Sequence, residues 1–390
     1  MRLSMNTRYA VIHASFWGAY GSLWAFIALV LEYNGFASAQ VGVVTSCATL
    51  LSVFLSPAVS SLLDARPGLE NRHGAMALLS LAAALCLLAW LVPLPRPFVL
   101  GACFALIGAF LSSTPPFQNA MAMDANRCGI PVVYGFCRGV GSVSYAAAVL
   151  LLGFVLERHA PTLLLPVFAA LTACGLLAMS GFRLPERPDE AADRPAEHRS
   201  IAAVLRSHPR FALTLLGCMF FFLTHTISNT YMNALVGKAG GTASAVGTSL
   251  AISAVLELPA MTLVSRLQKR FSPGFFLRFA AGAEVVKFLI FYLARSMPLI
   301  YLGHCMQFFQ FAVYAPATVY YVAAALPERD QLKGQSLIYV AGSGLGGALG
   351  NLLGGRLLDR SGIQAALLLG TVSAAASLLT FCLSTREDSR

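Results

Sequence analysis

An all-α integral membrane protein, with twelve transmembrane helices in two pseudo-symmetric six-helix bundles, is the fold class this sequence predicts. Three observations predict it. Of 390 residues, 57% are apolar and 11% charged, where soluble domains carry about 25% charged residues. Apolar runs of span length, about 20 residues, recur twelve times between polar or Pro/Gly punctuation. Short patterns in the first half return in the second at a constant offset.

The first six runs cover residues 9–32, 39–63, 74–94, 98–122, 131–156 and 162–182. The second six cover 211–236, 244–267, 274–294, 298–325, 335–358 and 363–383. The first run is span-length, so it reads as a helix rather than a cleavable signal. Between the sixth and seventh lies a long polar segment, 183–210, rich in Pro, Arg, Asp and Glu. The expected organisation is an N-terminal bundle at 1–182, a cytoplasmic linker at 183–210 and a C-terminal bundle at 211–390.

Lys and Arg collect on the cytoplasmic side of a membrane protein. With both termini inside, the outer segments keep Arg96, Arg158, Lys238, Arg295, Arg356 and Arg360, and the inner segments and linker hold nineteen basic residues. The formal charge of +10 is therefore topology, and a nucleic-acid partner is not expected. The nine cysteines are scattered, without C-x-x-C or zinc spacing, so they read as small buried hydrophobes. No metal and no cofactor are expected.

The internal repeat is seen at Ser56-Pro57-Ala58-Val59 against Leu258-Pro259-Ala260-Met261, and at Leu151–Arg158 against Leu353–Arg360, with offsets near 202. Parallel six-helix repeats are a transporter plan in which the substrate site lies between the halves near the bilayer midplane. Gly342, Gly346, Gly350 and Gly354 follow one another every four residues. They predict a smooth face for close helix packing or for a sliding contact.

Ionisable side chains persist in a span where they face a protein interior or a water-filled path and find partners. Glu257 stands in mid-span two residues before Pro259. It is suited to a proton or a solute hydroxyl, or to a structural hydrogen bond. Glu284 and Lys287, three apart, share a helix face and are able to pair with each other, either structurally or as part of a site. His304 and Gln307 repeat that spacing, with Gln310 on roughly the same side; histidine is the side chain most easily poised near neutral pH. His225 and Asn229, four apart beside Ser228, Tyr231 and Asn233, suggest a lined cavity. Arg138 lies in Tyr134–Gly141, where a guanidinium keeps its charge and requires an anion or carbonyls. Gln118 and Asn119, after Pro115-Pro116, and Glu32 are the other first-half polar candidates.

Together these residues resemble the major facilitator superfamily, in the branch of the lactose, phenylpropionate and nucleoside permeases, over essentially the whole chain. The most specific piece is Tyr134-Gly135 through Arg138 to Gly141, similar to a fifth-helix motif whose arginine binds substrate. The resemblance carries family carboxylate and basic positions onto Glu257 and Lys287 and the tenth-helix histidine onto His304. It also implies the major facilitator fold. The departures are Gln307 where the family's coupling carboxylate is expected, Gln118 or Asn119 in place of a glutamate, and His225 and Ser228 in place of two aspartates. The cytoplasmic loop motif is partly kept as Ser60, Asp64, Arg66 and Arg72.

The expectation is a non-enzymatic, multi-pass transporter of the bacterial inner membrane, monomeric, moving a small organic solute by proton symport. The solute would be an aromatic acid, a nucleoside or sugar-like. Arg138, Lys287, His304, Gln307, Gln118, Asn119, His225 and Asn229 would bind it, and Glu257, Glu284 or His304 would carry the proton. The lipid bilayer, the solute and protons are the expected partners. A proton-coupled exporter and a non-transporting solute sensor are the alternatives.

Overall fold

The computed structural model describes residues 4–66, 68–95, 97–185 and 201–385; residues 186–200 of the expected linker lie outside this set. The described residues are helical apart from short connections. The membrane helices are α1 (Met5–Tyr33), α2 (Ser38–Leu63), α3 (Asn71–Leu91), α4 (Phe98–Arg127), α5 (Tyr134–Val155) and α6 (Pro161–Ser180). The second set is α7 (Pro209–Thr230), α8 (Ala243–Val264), α9 (Pro273–Leu293), α10 (Met297–Ala325), α11 (Lys333–Ser361) and α12 (Ile363–Ser384).

Eleven of these are long and apolar enough to cross a membrane by composition alone. The exception is α9, whose 21 residues include Arg278, Glu284 and Lys287. Its charges are accommodated by the protein: Glu284 is 0% and Lys287 2% exposed, while Arg278 donates to the Thr385 carbonyl at 2.8 Å and caps the end of α12. The twelve-helix membrane fold predicted from the sequence is the fold observed.

Two compact units divide the chain, Met1–Glu190 with Ala243–Ala254, and Ala191–Thr242 with Val255–Arg390. In the first, α1 packs on α5 and α6, and α4 on α2 and α3. In the second, α7 packs on α11 and α12, and α9 on α10 and α12. The pairs α1–α5 and α7–α11 correspond, as do α1–α6 and α7–α12, so the repeat at sequence level is also a repeat of packing.

The glycine face of α11 lies against α7. A Cβ on Gly350 would fall 2.5 Å from the Leu223 carbonyl, and one on Gly342 2.8 Å from the Phe222 ring. Small residues let the two backbones meet, which is where helix association in lipid gains its van der Waals contact. Over Val340–Gly346 this helix takes π geometry, which the glycine spacing did not foretell. π segments are frequent at functional positions.

Every third membrane helix is interrupted. In α1 a 3-10 turn covers Trp24–Phe26, where the Trp24 indole lies directly on Gly108 of α4. In α4 the helix stops at Ser113 and resumes at Pro115, since Pro115 and Pro116 have no N–H to continue the ladder. In α7 it stops at Thr230 and a short helix, Met232–Lys238, follows. In α10 it stops at Cys305, passes through a 3-10 turn at Met306–Phe308 and resumes at Phe311.

Candidate functional site

The interruptions matter because unwound backbone at membrane depth is tolerated only where it is buried in protein or lines a path. The polar candidates gather around them. Gln118 and Asn119 occupy the first turn after the break in α4, and His225 and Asn229 the last two turns before the break in α7. Gln307 is inside the 3-10 turn of α10, and Gln310 is the residue from which the helix restarts.

In the second unit four helices contribute to one network. Lys287 Nζ on α9 donates to Gln307 Oε1 on α10 at 2.9 Å. Gln307 Nε2 donates in turn to Glu257 Oε1 on α8, also at 2.9 Å. An amide is the neutral group able to accept from an ammonium with one end and donate to a carboxylate with the other. A parallel set begins at Glu284, whose Oε1 accepts from Gln310 Nε2 at 3.1 Å. Gln310 Nε2 also lies 3.5 Å from His225 Nδ1, and the other ring nitrogen is 3.1 Å from Asn229 Nδ2.

Glu284 and Lys287 thus differ from the sequence expectation that they pair with each other. Each is held by a glutamine of α10, because the break turns Gln307 and Gln310 toward α9. Burial decides what this means. Lys287, Glu284 and Gln310 are at 2%, 0% and 0% exposure, whereas Glu257 is half-buried. The network therefore has an enclosed end, at Lys287, Glu284 and Gln310, and a partly exposed end, at Glu257. Aromatic rings line it: Phe311 stacks on His225 at 4.6 Å and 11°, and Phe291 lies 5.0 Å from the ring of the buried His304.

The first unit holds Arg138, Gln118 and Asn119. The Arg138 guanidinium lies 4.1 Å over the Trp17 ring and donates to Ser142 Oγ at 2.9 Å. Asn119 Oδ1 accepts from Tyr134 Oη at 3.2 Å. Gln118 is fully buried, and its backbone carbonyl accepts from Tyr9 Oη at 2.9 Å.

Two residues escaped the sequence reading. His13, 1% exposed, carries a signal that was available: it is an ionisable residue in the first span, four from Tyr9 and four from Trp17. Asn351, 3% exposed, sits within the glycine-rich helix. Its Oδ1 accepts from Thr230 Oγ1 at 2.6 Å and its carbonyl from the Tyr231 hydroxyl, which ties down α7 at its interruption. Outside the spans, burial and the Arg295 guanidinium pull Lys238 below the usual lysine range. Its Nζ donates to the Phe291 and Tyr292 carbonyls at 3.1 and 2.8 Å, capping α9. Among the described residues no group of His, Cys, Asp and Glu is arranged to hold a metal ion.

Comparison with known proteins adds the family. The model of the MFS_1 like family matches residues 6–369. A maltose permease of Geobacillus stearothermophilus is 27% identical over 286 residues, 73% of this chain and 71% of that one. The uncharacterized transporter YwbF of Bacillus subtilis is 22% identical over 100% of this chain and 96% of its own. Among solved structures, the nucleoside transporter NupG superposes with a TM-score of 0.81 at 16% identity, covering 100% of both chains. A bacterial homolog of the human lysosomal transporter Spinster reaches 0.70 at 15% identity, over 98% of this chain and 96% of that one. These relatives are membrane transporters rather than enzymes, and the chain belongs to the MFS_1 like family, a multi-pass transporter of the major facilitator type.

Proposed function

We propose that this protein is a secondary active transporter that carries a small organic solute together with a proton by alternating access. The observation that carries the reading is the Glu257–Gln307–Lys287 chain. Two carboxylates, Glu257 and Glu284, share a network with one lysine, which leaves room for one transferable proton. Glu257 is the less buried of the two carboxylates, so the exchange of that proton is assigned to it. Gln307, standing where the family resemblance calls for an acid, works as a connector: it keeps Glu257 coupled to the enclosed Lys287 while having no titratable proton of its own.

The solute is a hydroxylated ring. Amides, imidazoles and aromatic faces recognise such a solute through hydrogen bonds at its edge and stacking on its face. The similarity to a maltose permease and to a nucleoside transporter favours the same class. Lys287, Gln307, Gln310, His304, His225 and Asn229 are the candidate solute contacts of the second unit; Arg138, Gln118 and Asn119 are those of the first. The basic residues of the inner segments support cytoplasmic termini in a bacterial inner membrane.

The test is Glu257→Gln in proteoliposomes with an imposed pH gradient, using a mixed solute library that includes maltose and uridine. The expected result is loss of uphill accumulation with counterflow exchange retained. Accumulation at the parent level would remove Glu257 from the coupling role.

A further inference from the structure

Among the described residues, thirteen buried side-chain nitrogen or oxygen atoms lack a hydrogen bond, and five of them belong to His13, Trp17 and Gln118. Buried polar groups are nearly always satisfied, and each exception asks for an explanation. Tyr9 links the two most buried of the three. Its ring meets that of His13 edge-on at 4.7 Å, and its hydroxyl holds the Gln118 carbonyl. Tyr134 adds a second edge contact to His13 at 6.1 Å. Tyr9, His13 and Trp17 recur every four residues and so share one face of α1.

The unmet hydrogen bonds define a chemistry. Gln118 offers two N–H donors, Trp17 one, and a neutral His13 ring one, while Gln118 Oε1 and the other His13 nitrogen accept. A carboxylate or phosphate would serve the donors and leave both acceptors unfilled. Two adjacent hydroxyls donate twice and accept at their remaining lone pairs, which meets both needs. The geometry points to His13, Gln118 and Trp17 as a first-unit subsite that reads a vicinal diol of the transported ring, with Tyr9 and Tyr134 as its apolar wall.

In the state described here the subsite is enclosed, His13 at 1% and Gln118 at 0% exposure. The α4 helix is broken close by, Gln118 being four residues past Thr114, so this segment has a point about which it can open to admit a ring. A site built to hydrogen-bond a hydroxyl rejects the analogue that lacks it, because its own polar groups are then left unpaired. The inference rests on the solute-transport reading but is independent of proton coupling.

The experiment is thermal unfolding and equilibrium binding of the purified protein in detergent, without a pH gradient. The probes are maltose, uridine and single-deoxy analogues of each, on the parent, His13→Phe and Gln118→Leu. Replacing an unsatisfied buried polar group with an apolar one of similar shape does not destabilise the ligand-free fold, so both variants keep the parent's ligand-free midpoint. Each is expected to lose affinity by about tenfold or more and to discriminate poorly between a probe and its deoxy analogue. The inference fails if no probe stabilises the parent, if the variants bind and discriminate as the parent does, or if their ligand-free midpoints fall sharply. That last result would make the residues purely structural, with internal water as their only partner. Normal binding without pH-driven uptake would instead sink the symport reading and leave the subsite standing.

Discussion

The first unit and the second each place a basic side chain at membrane depth, and they secure it in different ways. Arg138 rests on the Trp17 ring and on a serine hydroxyl. Lys287 hangs from an amide whose far end holds a carboxylate. A guanidinium stays charged at any accessible pH and stacks on aromatic faces, whereas an ammonium on a flexible stem responds to its neighbours. Under the proposed function the two corresponding bundles would divide the work, the first recognising the solute and the second coupling charge to a proton.

The largest effect that would break this comparison comes from Lys287→Met. It strands Gln307 Oε1 and leaves two carboxylates without their cation. The expected cost is about 3–5 kcal/mol in stability, the usual penalty for removing one member of a buried charged set, together with loss of accumulation. Adding Glu284→Gln should recover much of the stability and none of the coupling. If the double variant remains as unstable as the single one in thermal unfolding, the two charges do not share a balance.

Next in size is Arg138→Ala. Solute affinity should fall roughly tenfold or more, the value of hydrogen bonds to a charged group, while the proton-to-solute ratio measured in proteoliposomes stays the same. A changed ratio at unchanged affinity would reverse the division of labour between the units. The smallest effect is expected for Asn351→Leu. It leaves Thr230 Oγ1 without its acceptor, costs about 1–3 kcal/mol, and loosens the segment that presents His225 and Asn229. Binding should weaken with maximal uptake largely retained; an unaltered affinity would show that the break in α7 does not depend on this contact.

The sequence made some of this legible and hid the rest, for reasons that differ residue by residue. Twelve apolar runs sufficed for the helices, since lipid forces each span to satisfy its own backbone. Even α9, with three charges, was found from its length. Glu257, Lys287 and Gln307 stood out as costly residues in apolar surroundings, but their connection did not. Gln307 reaches both only because α10 unwinds at Met306–Phe308, and Met-Gln-Phe carries no breaker residue that announces it. Likewise the three-residue spacing of Glu284 and Lys287 suggested a local pair. The actual partners lie on another helix, Gln310 being 26 positions from Glu284 and Gln307 20 from Lys287.

What this sequence determined by itself was the membrane fold, the twofold repeat and the inventory of polar side chains inside the spans. Each follows from local quantities: hydropathy, chain length and the cost of charge in lipid. What only the tertiary structure decided was which of those side chains meet, which helices unwind where they meet, and that Tyr9 bridges the buried His13 ring and the Gln118 backbone. Those outcomes depend on contacts between helices distant in the chain. The amide that joins Glu257 to Lys287 is positioned by the packing of α8, α9 and α10 rather than by anything written near Gln307.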